Sequence, residues 1–199
     1  MSSFIGHSLA ALSTYSVGKQ PTSPKTRYWL AWLIIIASAP DIDHIVRALH
    51  LTSHHEDIRI THSILLSLLL PFGTILLLTL LGCKGRFLII RSQQAILAGL
   101  SHLVLDLLTG VNKLPLLWPF STEIFKLPFG ILPSAGKLNL LNYLLYRNFL
   151  IEMGVLAPLV YSAFLISYDK NTARVQKIRI GGLLLISLCF MIWASSLSR

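Results

Sequence analysis

The sequence predicts an all-α, polytopic membrane helical bundle of about four to six membrane helices, with a His/Asp metal site at one membrane face. Three observations lead there. Of the 199 residues, 54% are hydrophobic and only 13% charged, against roughly 25% charged in soluble domains. Several apolar stretches approach the roughly 20 residues that cross a bilayer. Histidines and aspartates stand at the ends of these stretches, all toward one face of the predicted topology.

The elements follow in chain order. Residues 4–17 and 25–39 are apolar but short for a full crossing at about 1.5 Å per residue, so thin, tilted or sheltered helices are expected. Residues 63–81, SILLSLLLPFGTILLLTLL, read as a clear span, and residues 93–109 as a weaker one. Residues 149–168 and 180–197 complete the set. Pro71 and Pro158 fall inside two spans, where membrane helices tolerate proline with a kink. Residues 110–148 carry Pro115, Pro119, Pro128 and Pro133, interleaved with Trp118, Phe120, Phe125 and Phe129. Closely spaced prolines prevent a long helix and aromatic rings favour the headgroup level, so an irregular interfacial lid is expected. The length suits one membrane-embedded domain, 1–199, with a motif-bearing core at 4–125 and an interfacial segment and C-terminal spans at 126–199.

The net charge of +9 does not indicate nucleic acid, because the 17 Lys and Arg residues lie between apolar segments rather than in a stripe. If 18–27, 82–92 and 169–179 are cytoplasmic loops, they hold Lys19, Lys25, Arg27, Lys84, Arg86, Arg91, Lys170, Arg174, Lys177 and Arg179. That is the bias of the positive-inside rule. Cys83 and Cys189 suggest neither a disulfide nor a CxxC metal site. The start, MSSFIGHSLAALS, lacks the basic n-region of a secretory signal and is expected to be retained, which keeps His7.

Four groups of polar residues then fall on the outer side. In SHLVLD, His102 and Asp106 stand at i, i+4, one turn apart on one helix face, where nitrogen and oxygen can grip one cation. A plain His–Asp hydrogen bond is the simpler account. In PDIDH, Pro40 halts a helix beside Asp41, Asp43 and His44. Two close carboxylates repel unless a cation or solvent separates them, and a neighbouring imidazole suits zinc or manganese. A solvated cap is the alternative. RITHS contributes Arg59, Thr61 and His62 at the entry of the third helix, with Thr61 the expected cap. His7 stands at the start of the first helix, while His50, His54 and His55 occupy a polar loop and read as mostly solvated. Convergence of His and Asp groups from four apolar segments matches the mixed N/O shell of one or two divalent cations, most simply zinc.

With His7, PDIDH, THS, GLSHLVLD and LLWPFS in this order, residues 4–125 resemble the YdjM-like family of inner-membrane, metal-dependent hydrolases, often described as LexA-regulated. That family is in turn similar to zinc-dependent phospholipase C and single-strand nucleases, helical enzymes with a His-x-x-x-Asp metal motif. The resemblance implies His102 and Asp106 as ligands, joined by His62 and by Asp41 or Asp43, with Asp106 bridging to a second metal held by His7. It leaves His44 without a counterpart. The chain departs from the family at Asp57–His62, where His-Arg-Gly-x-Thr-His is common, and it has no histidine after His102 for the further site of the soluble enzymes.

The function expected is therefore a membrane-bound metal-dependent hydrolase at the extracytoplasmic face of the bacterial inner membrane. Its partners are the bilayer and an amphiphilic or phosphoester substrate, and it uses a metal-activated water. Whichever of Asp41 and Asp43 is not a ligand is the expected base. Arg59 either pairs with a phosphate or serves as an interfacial cation. A metal or proton transporter is the rival from another class, although no repeated halves are visible and the ligands are one-sided. A non-catalytic protein whose metal staples the short helices is the third reading.

Overall fold

A computed structural model describes residues 4–16, 25–42, 59–111, 113–133, 143–168 and 174–197. Among these, the chain is helical: α1 (Phe4–Tyr15), α2 (Lys25–Ser38), α3 (Ile64–Leu80), α4 (Gly85–Leu108), α5 (Tyr143–Tyr168) and α6 (Arg174–Ser195). Short 3-10 turns follow α2 at Ala39–Asp41 and precede α3 at Ile60–His62. Three helices are long and apolar enough to cross a membrane: Gly85–Leu108, Tyr143–Ile166 and Val175–Ser195. α3 is more apolar than these but only 17 residues long, about 26 Å against a hydrocarbon core of roughly 30 Å.

α4 is the axis of the bundle. It packs against α1, α2 and α3, while α5 packs on α1 and pairs with α6. At 12 and 14 residues, α1 and α2 are too short to span. They are sheltered instead: Ala11, Leu33, Ile36, Ala37, Ala95 and Ala98 form a fully buried cluster, with Trp29, Trp32 and Leu70 packed on it. Small residues on α4 let these neighbours approach closely, which is how membrane helices gain packing without a hydrophobic drive between them. Gly99 is the tightest point. A Cβ there would stand 2.7 Å from the Ser67 carbonyl oxygen and 2.8 Å from Pro71 Cγ. Pro71 has no N–H, so the carbonyl four residues back loses its helical donor, and Gly99 is the residue laid against that freed oxygen. Both α3 and α5 run unbroken through their prolines.

The α3–α4 hairpin turns on Gly82, at φ +80°, with Gly82 N–H donating to Thr79 O and Cys83 N–H to Leu78 O, both at 3.0 Å. This is a Schellman end, for which glycine is suited because it adopts left-handed φ without strain. Ser63 rather than Thr61 caps α3, its Oγ accepting from Leu66 N–H at 3.3 Å. Thr61 lies one step too early, inside the preceding 3-10 turn.

Three expected starts move: α4 begins at Gly85 rather than 93, α5 at Tyr143 rather than 149, and α6 at Arg174 rather than 180. The supposed basic loop 82–92 is thus mostly helix, and Arg91 is buried in it. Its guanidinium lies 4.8 Å from the Trp29 ring and 5.3 Å from that of Phe87. A long aliphatic stem lets arginine bury while its head finds π faces, so a cation next to an apolar run need not mark a loop. Arg91 Nη1 donates to Gln94 Oε1 at 3.2 Å, Trp29 Nε1 donates to the same oxygen at 2.7 Å, and Gln94 Nε2 donates to Tyr15 O at 3.0 Å. One fully buried amide therefore ties α1, α2 and α4 together at the end of the bundle away from His102. Gln94→Ala strands those donors and is expected to cost about 1–3 kcal/mol. Unchanged thermal unfolding of that variant in detergent would contradict this assignment.

The described residues between α4 and α5, 109–111 and 113–133, are irregular, as their prolines require, apart from one antiparallel bridge between Leu114 and Phe125. Leu114 and Leu132 are fully buried, whereas Phe120 and Phe129 are exposed. Backbone bonds fasten it at two places. Leu116 O accepts from Ile64 N–H at the start of α3, and Leu108 O at the end of α4 accepts from Ile131 and Leu132 N–H.

Candidate metal centre

Four pieces of chain bring five side chains together. His7 comes from the first turn of α1, Asp41 from the 3-10 turn that Pro40 shapes, and His62 from the turn before α3. His102 and Asp106 come from the last turns of α4. Thr109 Oγ1 donates to Asp106 O at 2.8 Å, and Gly110 at φ +64° ends the helix just beyond. His7, His62, His102 and Asp106 are fully buried, while the Asp41 side chain is 24% exposed. Asp41 is therefore the member of the cluster that reaches the surface.

Distances within the cluster are uniform. His7 Nε2 lies 3.6 Å from Asp41 Oδ2, and His62 Nε2 lies 3.6 Å from Asp41 Oδ1. His62 Nε2 is 3.5 Å from Asp106 Oδ2, and His102 Nε2 is 3.7 Å from Asp41 Oδ1. These separations exceed the 2.7–3.2 Å of a good N–H···O bond. A tetrahedral ion with bonds of about 2.0–2.1 Å holds its donor atoms about 3.3 Å apart, close to the spacing here. The rings of His7 and His102 stack at 4.0 Å with 9° between planes, and His62 meets His102 edge-on at 5.0 Å.

His102 decides how these contacts are read. Its Nδ1 lies 2.7 Å from Ala37 O. A carbonyl only accepts, so Nδ1 carries the proton and the neutral ring keeps a lone pair on Nε2. That nitrogen is buried without a hydrogen bond and faces a carboxylate oxygen that also only accepts. Two facing acceptors are favourable when a cation lies between them. His62 Nδ1 lies 3.1 Å from Thr61 Oγ1, a hydroxyl that can donate or accept, so this contact sets the direction of the ring while leaving either tautomer open.

The donor set suits a divalent ion in two overlapping triads, His7–Asp41–His102 and His62–His102–Asp106. His102 has one nitrogen to offer and can serve one ion, so a second ion would need the remaining imidazoles and carboxylates. Asp41 faces three of the histidines, His7, His62 and His102. Asp43 and His44 lie outside the described residues, as do His50, His54 and His55. Arg59 begins the His62 turn, and its Nη1 is buried without a hydrogen bond.

Sequence reasoning missed Glu152, a buried carboxylate in α5 whose Oε1 lies against Gly6, next to His7. The signal was present, since an acid inside FLIEMG is conspicuous in an apolar helix. It also missed the Ala37 carbonyl, which no side-chain pattern can reveal.

No curated protein and no solved structure matches the chain. Neither comparison shows the expected likeness to zinc-dependent phospholipase C and single-strand nucleases. A family model described as YdjM inner membrane protein matches residues 1–196. With its three long apolar helices, this chain is an inner membrane protein and belongs to the YdjM family.

Proposed function

We propose that this protein is a metal-dependent hydrolase embedded in the inner membrane, acting on a phosphoester or similar amphiphilic ester presented at the bilayer surface. The observation that carries the reading is His102, held as the Nδ1–H tautomer by Ala37 O and aiming its free Nε2 at Asp41 Oδ1. A divalent cation such as zinc or manganese, held by His7, Asp41, His62, His102 and Asp106, supplies Lewis acidity and a lowered pKa for water.

The chain's own groups supply the rest. Four buried residues exclude solvent from the inner side of the cluster, and the partly exposed Asp41 marks the approach. Since Asp41 stands among the donor atoms, Asp43 of the same motif takes the role of proton acceptor. Arg59, with a buried nitrogen still able to donate, offers a contact for a negatively charged ester oxygen. The extracytoplasmic orientation is supported by Arg27, Lys84, Arg86, Lys177 and Arg179. These exposed cations stand near the starts of α2, α4 and α6, away from the His/Asp end.

Sealed vesicles test activity and orientation together. Right-side-out vesicles are expected to hydrolyse an impermeant phosphoester, to stop on treatment with a chelator and to recover with zinc, whereas inverted vesicles stay inactive until opened. Metal binding without turnover of phosphomonoesters, phosphodiesters or phospholipids would return the cluster to a structural role.

A further inference from the structure

α5 carries a carboxylate that the site described above does not use. Glu152 is 3% exposed, in a helix otherwise suited to lipid. Placing an acid inside a membrane helix costs about 2.5–3.5 kcal/mol even on lenient insertion scales, so its surroundings must compensate. Those surroundings are the first turn of α1. Glu152 Oε1 sits so close to Gly6 that a Cβ there would overlap it, and the same position lies 3.0 Å from Glu152 Cδ and 3.4 Å from Leu156 Cδ1. Gly6 is the third residue of α1. The first four N–H groups of a helix have no acceptor within it and carry the positive end of its dipole, which favours a carboxylate. A side chain larger than hydrogen at position 6 would keep the carboxylate away from that turn.

α1 needs such a contact. With 12 residues it cannot be held at a fixed depth by spanning the bilayer, and its position must come from its neighbours. Ala11 packs in the cluster shared with α2 and α4, and Ala10 packs beside Ile151 and Val155 of α5. His7 follows Gly6 directly, and its ring stacks on His102.

We propose that Glu152 is a positioning residue of the metal centre, its carboxylate docked on the first turn of α1 so that His7 is held at the depth and rotation from which it meets Asp41 and His102. The C-terminal hairpin is thereby coupled to a site whose ligands all precede it. This inference rests on the cluster being a metal centre.

The test uses the full-length chain in detergent. Zinc affinity is measured by competition with a chelating dye, and the melting temperature is measured with metal removed. Glu152→Ala is expected to weaken zinc binding by about 10–100-fold, the usual range for residues that orient ligands. Glu152→Gln keeps an accepting oxygen without the charge and falls between it and the wild type. Ser187→Ala removes a buried bond to Val155 O at 2.9 Å elsewhere on α5. It is expected to lower the melting temperature while leaving zinc affinity unchanged. Should Glu152→Ala fail to fold, Gly6→Ala takes its place, because it displaces the same carboxylate. Wild-type affinity in the Glu152 and Gly6 variants, or a loss no greater than that of Ser187→Ala, would overturn the proposal while leaving the centre intact. A wild-type protein that binds no zinc would overturn both.

Discussion

Detergent-purified protein is expected to carry about one equivalent of zinc or manganese per chain, and the His102→Ala/Asp106→Ala double variant none, by elemental mass spectrometry. The size of the effect follows from the geometry. The two triads share His102, so its removal breaks both, and losing Asp106 leaves His62 facing only Asp41. Neutral histidines and an ionised aspartate already form the metal-binding state, so little proton release opposes binding near neutral pH. The variant should still elute as a folded species, since the helix contacts lie below the cluster in the alanine-rich layer of α4. Metal that is absent from the wild type, or that persists after both changes, would defeat the metal reading and with it the hydrolase.

The second large effect is expected at Gly99. Replacing it with valine puts branched carbon where Ser67 O and Pro71 Cγ already stand within 2.8 Å of the Cβ position. One of these atoms belongs to the backbone and the other to a rigid ring, so neither can rotate aside. Overpacking typically costs about 1–3 kcal/mol, and the absence of a flexible neighbour puts this site at the upper end. The damage also reaches the centre, because separating α3 from α4 moves His62 relative to His102. A detergent melt of Gly99→Val is expected to show a lower transition and reduced metal content together. A stable variant with full metal content would refute the close approach of the two helices.

Much of this was legible in the sequence, for physical reasons. Apolar runs with prolines declare membrane helices because lipid leaves the backbone few alternatives. His102 and Asp106 declare a shared face by their spacing, and Pro40 marks the end of α2. What stayed hidden depended on tertiary context. Gln93 and Gln94 look like the polar start of a helix, yet Gln94 is buried and the helix begins eight residues before 93, at Gly85. Arg91 looks like a loop cation until Trp29 arrives from another helix to cover it. The place of Asp41 among three histidines could not be read from spacing alone, because the 3-10 turn at Ala39–Asp41 decides where its carboxylate points. Glu152 was visible but could not be assigned, since its partner lies 146 positions away in the chain, at Gly6.

Residues 113–133 are tied down by their own main chain: Leu116 O holds the start of α3, and Ile131 and Leu132 N–H hold the end of α4. Peptide groups make the same bonds whatever side chains flank them. Phe120, Ile124 and Phe129, which face outward, are therefore open to replacement without loosening the frame that carries His62 and Asp106. A segment held in this way lets a lineage alter the face it presents while inheriting the frame of the His/Asp cluster unchanged.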